Sequence, residues 1–459
     1  MSPGTTGIRS PRRLGVAACA RGLAAGQFSA LELVDDCLAA IALENAGLGA
    51  WVYVDSGKAR ESARRSDLRR AAGTSLGPLD GVPVGIKANV AVEDWPCTAG
   101  LRFRLDERAS TDAFVVQRLR AAGAVLLGST NMDEGALGAE GANPWYGTTQ
   151  NPRRPGWSSG GSSSGSGAAV AADHCGFALG TDTIGSIRIP ASFCGVIGMK
   201  PSHGLISTGG VVPVHLRFDH VGPLVKSAED LALVLPILAG YDPGSRVSFP
   251  LELRPPRPAD THRTIGFGVG FDGLSVKEEV VNAYNRGLAA LRGLGAQLVP
   301  VDMRRWDLAR LRRAILALCE REMWCEHGER ITARPEDFSD GLRAFIRYGG
   351  RLADKDLAAA EQRIAQFQSE WSVQMAPLDA VVLPTVPCPA FPHGERHPHN
   401  TAELTAVATG AALPAVSLPL PVPAGELPIG LQLIGHRGGE LDLAALAVEL
   451  EAALGGRRQ

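Results

Sequence analysis

The stretch SSGGSSSGSG at residues 158–167, followed directly by AAVAA at 168–172, is the most informative part of the chain. Ten consecutive Gly and Ser residues are typical of a flexible linker. A linker would lead to a domain boundary, whereas this run leads to an uncharged helix start. A strand-like segment at 176–179 and a second glycine-rich turn, GTDTIGS at 180–186, then follow within a few residues. We therefore expect both turns to lie inside one domain and to build a site from backbone N–H groups and hydroxyls.

Helical and strand patterns alternate on both sides of these turns. Capping boxes formed by Ser29 with Glu32, and by Ser275 with Glu278, predict two helix starts. Short apolar runs bounded by turn residues predict buried strands at 124–128, 380–383, 415–418 and 431–434. The sequence therefore predicts an α/β fold with a mixed, mostly parallel β-sheet covered by helices on both faces.

Composition narrows the class of protein. The 459 residues include 46 Lys or Arg and 48 Asp or Glu, for a net charge of −2, and 45% of them are hydrophobic. This balance is globular, and it argues against nucleic acid or an anionic membrane as the main partner. The eight cysteines are scattered, with no C-x-x-C pair and no His at zinc spacing. We expect reduced thiols, a cytoplasmic location, and neither a metal nor a cofactor.

Two segments resemble membrane or export signals. Three arginines precede the apolar run 14–20, as in a signal peptide, but Arg21 interrupts the run after seven residues. The uncharged stretch 404–425 is long enough to span a bilayer but holds four prolines. We therefore predict a first helix instead of a signal peptide, and no transmembrane segment.

The two turns match acyl-transfer chemistry better than phosphate binding. G-x-x-x-x-G-K-[ST] is absent, and no G-x-G-x-x-G follows a clear strand with an acidic residue about 20 positions further on. Acyl transfer needs a serine nucleophile, a proton acceptor and donors aimed at an oxyanion. A G-x-S-x-G elbow is missing, and His174, between the turns, is expected to be structural. The other candidate base is Lys87, at the end of GVPVGIK (81–87), although a lysine at a strand end is usually solvated.

The longest motifs resemble the amidase signature family. They are GGSSSGSGAAVAA (160–172), LGTDTIGSIRIP (179–190) and FCGVIGMKP (193–201), supported by GVPVGIK (81–87), GSTNMDE (128–134), YGTTQNP (146–152), DHVGP (219–223) and LPIGLQ (427–432). The resemblance covers essentially the whole chain. It implies one domain over 1–459, with a signature core at about 79–225 and a C-terminal part at 260–455 that completes the sheet and the substrate pocket.

The resemblance also implies a Ser–Ser–Lys triad. Ser186 matches the nucleophile, Ser162 matches the serine that follows a cis peptide bond, and Lys87 matches the base. A free lysine has a pKa of about 10.4, which burial can lower, so that neutral Lys87 accepts a proton through Ser162. The implied oxyanion hole consists of the backbone N–H groups of Thr183, Ile184, Gly185 and Ser186.

Three positions depart from the family pattern. Ile184 stands where glycine is common, which predicts a narrower acyl pocket. Ala88 follows the base where an acidic residue or Asn is frequent, and Ser164 replaces a common glycine. None of these changes removes a triad group.

Substrate contacts are open to more than one interpretation. Arg188 is a candidate for steering an anionic substrate, and an ion pair with Asp182 is the alternative. Met132 is a second candidate contact, and the His-rich stretch 393–399 is a candidate flap.

The resulting hypothesis is an amidase that hydrolyses a small polar carboxamide through a serine acyl-enzyme. The alternative is a glutamine-hydrolysing A subunit of a tRNA-dependent amidotransferase, since the motifs suit a branch that holds both such subunits and 1-carboxybiuret hydrolases. A third class, a binding module with a decayed triad, is disfavoured because all three triad residues are present. The expected partners are the amide substrate, a second copy in a homodimer, and an accessory subunit under the alternative.

Overall fold

The computed structural model describes residues 10–258, 262–395 and 398–455. Its helices are α1 Val16–Ala24, α2 Ala30–Leu48, α3 Ser56–Ala71, α4 Phe114–Ala121, α5 Ser164–Ala171, α6 Arg188–Cys194, α7 Ala228–Leu238, α8 Glu278–Gly293, α9 Leu308–Ala333, α10 Asp340–Arg351, α11 Asp354–Met375, α12 Glu403–Gly410 and α13 Glu440–Ala453. Its strands are β1 Trp51–Val54, β2 Pro83–Lys87, β3 Val125–Thr130, β4 Ala142–Asn143, β5 Gly147–Thr148, β6 Gln150–Asn151, β7 Arg154–Ser158, β8 Phe177–Asp182, β9 Ile197–Lys200, β10 His220–Val225, β11 Thr264–Val269, β12 Gln297–Asp302, β13 Ala380–Pro384, β14 Ala415–Leu420 and β15 Ile429–Ile434.

Eleven of these strands form one mixed sheet in the order β1-β3-β2-β8-β10-β9-β14-β15-β13-β11-β12. The predicted α/β class and mixed sheet are confirmed, but parallel pairing is not the majority. The pairs β2–β3, β2–β8, β11–β12 and β11–β13 are parallel, and the other pairs in this sheet are antiparallel. A strand that is buried on both faces has the same apolar pattern in either direction, so its sequence does not encode the direction of its neighbour.

Helices cover both faces of the sheet, as predicted. Along β13, Ala380 and Val382 pack into one apolar cluster, and Val381 and Leu383 pack into another. Because successive side chains of a strand point to opposite faces, the two clusters lie on opposite sides of the sheet. The first cluster takes helices α1–α8 and α13, and the second takes α9–α12.

One of the two predicted helix starts is confirmed. The backbone N–H of Glu32 donates to Ser29 Oγ at 3.0 Å, and Ser29 N–H donates to the Glu32 carboxylate at 2.7 Å. The second prediction is wrong, since α8 begins at Glu278 with Lys277 as its N-cap and no side-chain cap. The backbone N–H of Lys277 donates instead to the carbonyl of Pro387, a distant contact that no local pattern encodes.

The adjacent parallel strands β3, β2 and β8 place their carboxyl ends at the same edge of the sheet. Those ends are Thr130, Lys87 and Asp182, so the base candidate lies beside the glycine-rich turn that follows β8. This edge is where α/β sheets bind ligands. Within the described ranges, no helix is long and apolar enough to cross a membrane.

Candidate active site

Lys87 is wholly buried at the end of β2 and is not a solvated surface residue. Its Nζ donates to Ser162 Oγ at 2.9 Å and to Thr181 Oγ1 at 2.7 Å. The same Thr181 hydroxyl accepts from Asn89 Nδ2 at 3.2 Å, so Asn89 supplies a polar side chain near the base where Ala88 cannot. The structure thus places the predicted base in direct contact with the predicted relay serine.

Burial prepares Lys87 to accept a proton. It lowers the pKa of Lys87 to about 7, and the negative charges of Asp133, Asp182 and Asp219 only partly oppose this effect. A large fraction of Lys87 is therefore neutral near pH 7, as a general base must be.

Asp133 supports the loop that carries Ser162, and sequence reasoning missed this role. The Gly161–Ser162 peptide is cis, and Asp133 N–H donates to the carbonyl of Ser162 at 3.2 Å. A Cβ at Gly161 would lie 2.5 Å from Asp133 Oδ2, so only glycine fits there. The Asp133 carboxylate accepts from the backbone N–H groups of Glu140 and Gly141, and burial raises its pKa to about 7. Its place directly after a buried strand, in GSTNMDE, was the only available signal.

Ser186 lies on the wall of a cavity, on the turn between β8 and α6. Gly185 has φ +136°, and a Cβ there would lie 2.5 Å from Thr405 Oγ1, so this turn requires glycine. The backbone N–H of Ser163 donates to the carbonyl of Ser186 at 3.1 Å, which joins the two serine-bearing loops. The loop of Ser162 therefore contacts both Lys87 and the turn that carries Ser186.

The predicted oxyanion donors are not equivalent. The N–H of Gly185 already donates to Asp182 Oδ1 at 2.6 Å, a contact that holds the turn. The N–H groups of Thr183, Ile184 and Ser186 are therefore the remaining candidate oxyanion donors, and all three residues line the cavity. The Thr183 hydroxyl donates to the buried Asp219 at 2.6 Å, which fixes the start of the turn.

Arg188 does not contact the cavity, and this corrects its interpretation as a substrate-steering residue. Its side chain is wholly buried, with Nε and Nη2 each 2.9 Å from the Asp182 carboxylate and Nη1 2.9 Å from the carbonyl of Thr405. Burial alone would raise the pKa of Asp182, but the Arg188 charge holds it well below its usual range. Met132 is likewise buried in the second apolar cluster and is not part of the cavity wall.

Loss of the Arg188 ion pair should destabilise the fold. Arg188→Met would leave Asp182 buried without its partner, which typically costs about 3–5 kcal/mol. We expect the free energy of unfolding, measured with urea, to fall by that amount. The control is Arg310→Met, which removes an exposed arginine and should change it by less than about 0.5 kcal/mol. A loss of under about 1 kcal/mol for Arg188→Met would contradict the assignment of Arg188 as a buried structural cation.

The cavity next to Ser186 has a volume of about 460 Å³ and a largely apolar wall. This size is ordinary for a small-molecule site. The wall residues outside the serine turn come mainly from the segment after β3, from α9 and α10, and from the loop before α12; they include Glu134, Leu137, Arg312, Leu316, Cys319, Leu342, Phe345, Pro398, His399 and Thr401. The candidate His-rich flap thus contributes His399, whereas its residues 396 and 397 lie outside the described residues. No three His, Cys, Asp or Glu side chains among the described residues form a metal-binding group.

Comparison with known proteins shows the family of this chain. Residues 32–443 match the profile of the family described as Amidase. The chain belongs to the amidase signature family, and it is an enzyme that acts on amide C–N bonds.

The relatives span its full length. The A subunit of the glutamyl-tRNA(Gln) amidotransferase of Anaeromyxobacter sp. (strain K) is 36% identical over 96% of each chain. A structure from a vestigial protein complex, described as revealing the origins of an s-triazine catabolic enzyme, has a TM-score of 0.86 at 32% identity and covers 96% of this chain and 98% of its own. The peptide amidase of Stenotrophomonas maltophilia has a TM-score of 0.84 at 28% identity and covers 97% of each chain.

Proposed function

We propose that this chain hydrolyses the C–N bond of a small polar carboxamide through an acyl-enzyme on Ser186. One observation carries the proposal: the buried Lys87 Nζ lies 2.9 Å from Ser162 Oγ, on a loop that is hydrogen-bonded to Ser186 at the cavity wall. A lysine with a lowered pKa, a bridging hydroxyl and a serine at a ligand cavity are the parts that serine acyl transfer needs.

In the proposed first half-reaction, Ser186 Oγ attacks the amide carbon while its proton passes to Ser162, whose own proton passes to neutral Lys87. The negative charge on the carbonyl oxygen is stabilised by the N–H groups of Thr183, Ile184 and Ser186. The C–N bond then breaks, and the proton returns from Lys87 through Ser162 to the leaving nitrogen. In the second half-reaction, water attacks the ester, the same groups move one of its protons to Ser186, and the product leaves as a carboxylic acid that ionises in solution.

Ile184 is expected to set the size of the acyl group. Its β-branched side chain lines the cavity in the same turn as Ser186. Ile184→Gly should raise kcat/KM for amides with larger acyl groups by about tenfold, because it removes side-chain volume without removing the N–H donor. The measurement is kcat/KM over a homologous series from acetamide to hexanamide, with acetamide as the internal control. An unchanged series would mean that Ile184 does not limit acyl size.

A second candidate function is glutamine hydrolysis as the A subunit of an amidotransferase. It is favoured by the full-length similarity to subunits of that name, at 36% identity. Under this candidate, an accessory subunit would be a partner. The vestigial complex in which one structural relative occurs supports the same idea. We propose a homodimer for the free-standing hydrolase. For either function we propose a reducing, cytoplasmic location, because all eight cysteines are unpaired.

Ammonia release from the purified chain separates the two functions. The free-standing hydrolase predicts multiple turnovers on small amides such as malonamate or succinamate without any partner, and little release from glutamine. Ser186→Ala is the blank for contaminating activity. Ammonia release from glutamine but not from the small amides, or ammonia release that requires co-expressed subunits, would support the amidotransferase function instead.

A further inference from the structure

Arg312 is an arginine on the wall of the same cavity as Ser186. It lies near the start of α9, and its side chain keeps 22% of its exposure. Among the described wall residues it is the only Lys or Arg. A cation in a largely apolar cavity restricts which ligands are bound well, because its charge must be compensated there.

The guanidinium of Arg312 lacks a hydrogen-bond acceptor among the described residues. Its Nε is buried without a hydrogen-bond partner, and its ionic neighbour, Glu403 Oε1, is 3.8 Å away, beyond hydrogen-bond distance. The neighbouring arginines differ, since Arg310 lies 3.1 Å from Asp307 and Arg313 forms a close ion pair with Glu320. Arg312 is thus a cation with one long-range ionic partner, Glu403, and no hydrogen bond from its Nη groups to any described residue.

Two carboxylates at or behind the wall are already engaged by other groups. The Glu134 carboxylate accepts from Trp145 Nε1 at 2.7 Å and from the backbone and hydroxyl of Ser339. Asp219 accepts from the Thr183 hydroxyl. Glu134 and Asp219 are therefore engaged elsewhere, Glu403 is the acid that faces Arg312 without a hydrogen bond, and a ligand acceptor would complete the hydrogen bonding of the guanidinium.

We propose that Arg312 binds a carboxylate on the acyl part of the substrate, so that the preferred substrates are monoamides of small dicarboxylic acids. This inference rests on the proposed function, since it names the substrate class of the same site. A guanidinium pairs with a carboxylate through two parallel hydrogen bonds and orients it. An uncharged substrate cannot form this pair and therefore forgoes the binding energy that the carboxylate gains. Glu403, on the Nε side, holds the guanidinium in the cavity wall.

The test compares acids with methyl-terminated amides of matched shape. The pairs are malonamate with propionamide, succinamate with butyramide, and glutaramate with valeramide. For the best pair we expect kcat/KM of the wild-type enzyme to be on the order of 10- to 100-fold higher for the acid. Arg312→Met should remove that preference, mainly through a higher KM, and should change kcat/KM for the methyl-terminated amide by less than about threefold. Arg310→Met, on the same helix but exposed and outside the cavity, is the matched control and should keep the preference.

A purely structural Arg312 would behave differently. Its replacement would lower both members of each pair equally, and that result would overturn the inference, as would a wild-type enzyme without preference for the acids. Should Arg312→Met fold poorly because Glu403 loses its partner, Arg312→Met/Glu403→Gln removes both charges and is expected to lose the same preference.

Binding without turnover separates this inference from the proposed function. Malonate, succinate and glutarate are titrated calorimetrically into the wild-type chain and Arg312→Met. Binding of at least one dicarboxylate that weakens on the order of 10- to 100-fold in the variant supports the role of Arg312, even if no amide is hydrolysed and the proposed function fails. Absence of dicarboxylate binding to the wild-type chain would overturn the inference while leaving hydrolysis of the neutral amides intact.

Discussion

Ser186→Ala is expected to lower kcat on the best small amide by about 10⁴- to 10⁶-fold, because the variant lacks the oxygen that forms the acyl-enzyme. Ser186 lies on the cavity wall, and its carbonyl is bonded to the loop that carries Ser162, so its position is defined from two sides. The readout is ammonia release at saturating substrate.

The matched control for Ser186→Ala is Ser164→Ala. Ser164 belongs to the same Gly/Ser run as Ser162, but its hydroxyl makes only long contacts, at 3.4 Å to Thr149 and 3.5 Å to Asn131. We expect this variant to keep kcat within a few fold of wild type. A Ser186→Ala enzyme that retained more than about one hundredth of wild-type kcat would exclude Ser186 as the nucleophile.

Lys87→Met is expected to lower kcat by about 10²- to 10⁴-fold, the usual contribution of a positioned general base. In the wild-type enzyme, kcat should rise with pH and level off above an apparent pKa of about 7, since burial lowers the pKa of Lys87 to that value and only its neutral form accepts a proton. The direction follows from the base role: protonation at lower pH removes the acceptor. The variant should lose this rise.

A second buried lysine provides the control for the pH profile. Burial also lowers the pKa of Lys200 to about 7, but its Nζ contacts His220 Nε2 and the carbonyl of Pro201 and none of the triad. Lys200→Met should therefore keep the rise in kcat with pH, measured at temperatures where the variant is folded. A profile that is flat from about pH 5 upward in the wild-type enzyme, or one that loses its rise only in Lys200→Met, would contradict Lys87 as the base.

The sequence was sufficient for the parts of the site that depend on local motifs. The strand that ends at Lys87 occurs as predicted, because strand burial is encoded over a few residues. The two glycine-rich turns are shorter than predicted, since α5 begins at Ser164 and β8 extends to Asp182. The capping box at Ser29 is also encoded locally, because its two partners are three residues apart. The start of α8 at Glu278 was not predictable, because a contact between Lys277 and the distant Pro387 decides it.

The substrate contacts could not be predicted without the tertiary structure. Arg188 follows the nucleophile closely in sequence, yet the helix turn directs its side chain into the core, where Asp182 neutralises it. Arg312 is far from Ser186 in sequence, in a helix without any motif, and it reaches the cavity because α9 packs in the same apolar cluster as Ile184 of the serine turn. Asp133 is similar, since its backbone N–H donates to the carbonyl of the distant Ser162, and its place after a buried strand does not reveal that contact. In all three cases, the packing of helices and strands that are distant in sequence determines which groups meet.

The central claim, an acyl-enzyme on Ser186, is tested most directly by trapping it. The wild-type enzyme is mixed with an activated acyl donor such as a p-nitrophenyl ester of a small acid, quenched with acid in the burst phase, digested and mapped by mass spectrometry. We expect the mass increment of the acyl group on the peptide that contains Ser186, its absence in Ser186→Ala, and its presence in Ser164→Ala. An increment on a different residue in the wild-type enzyme, or a burst of product with no acylated peptide, would contradict the claim.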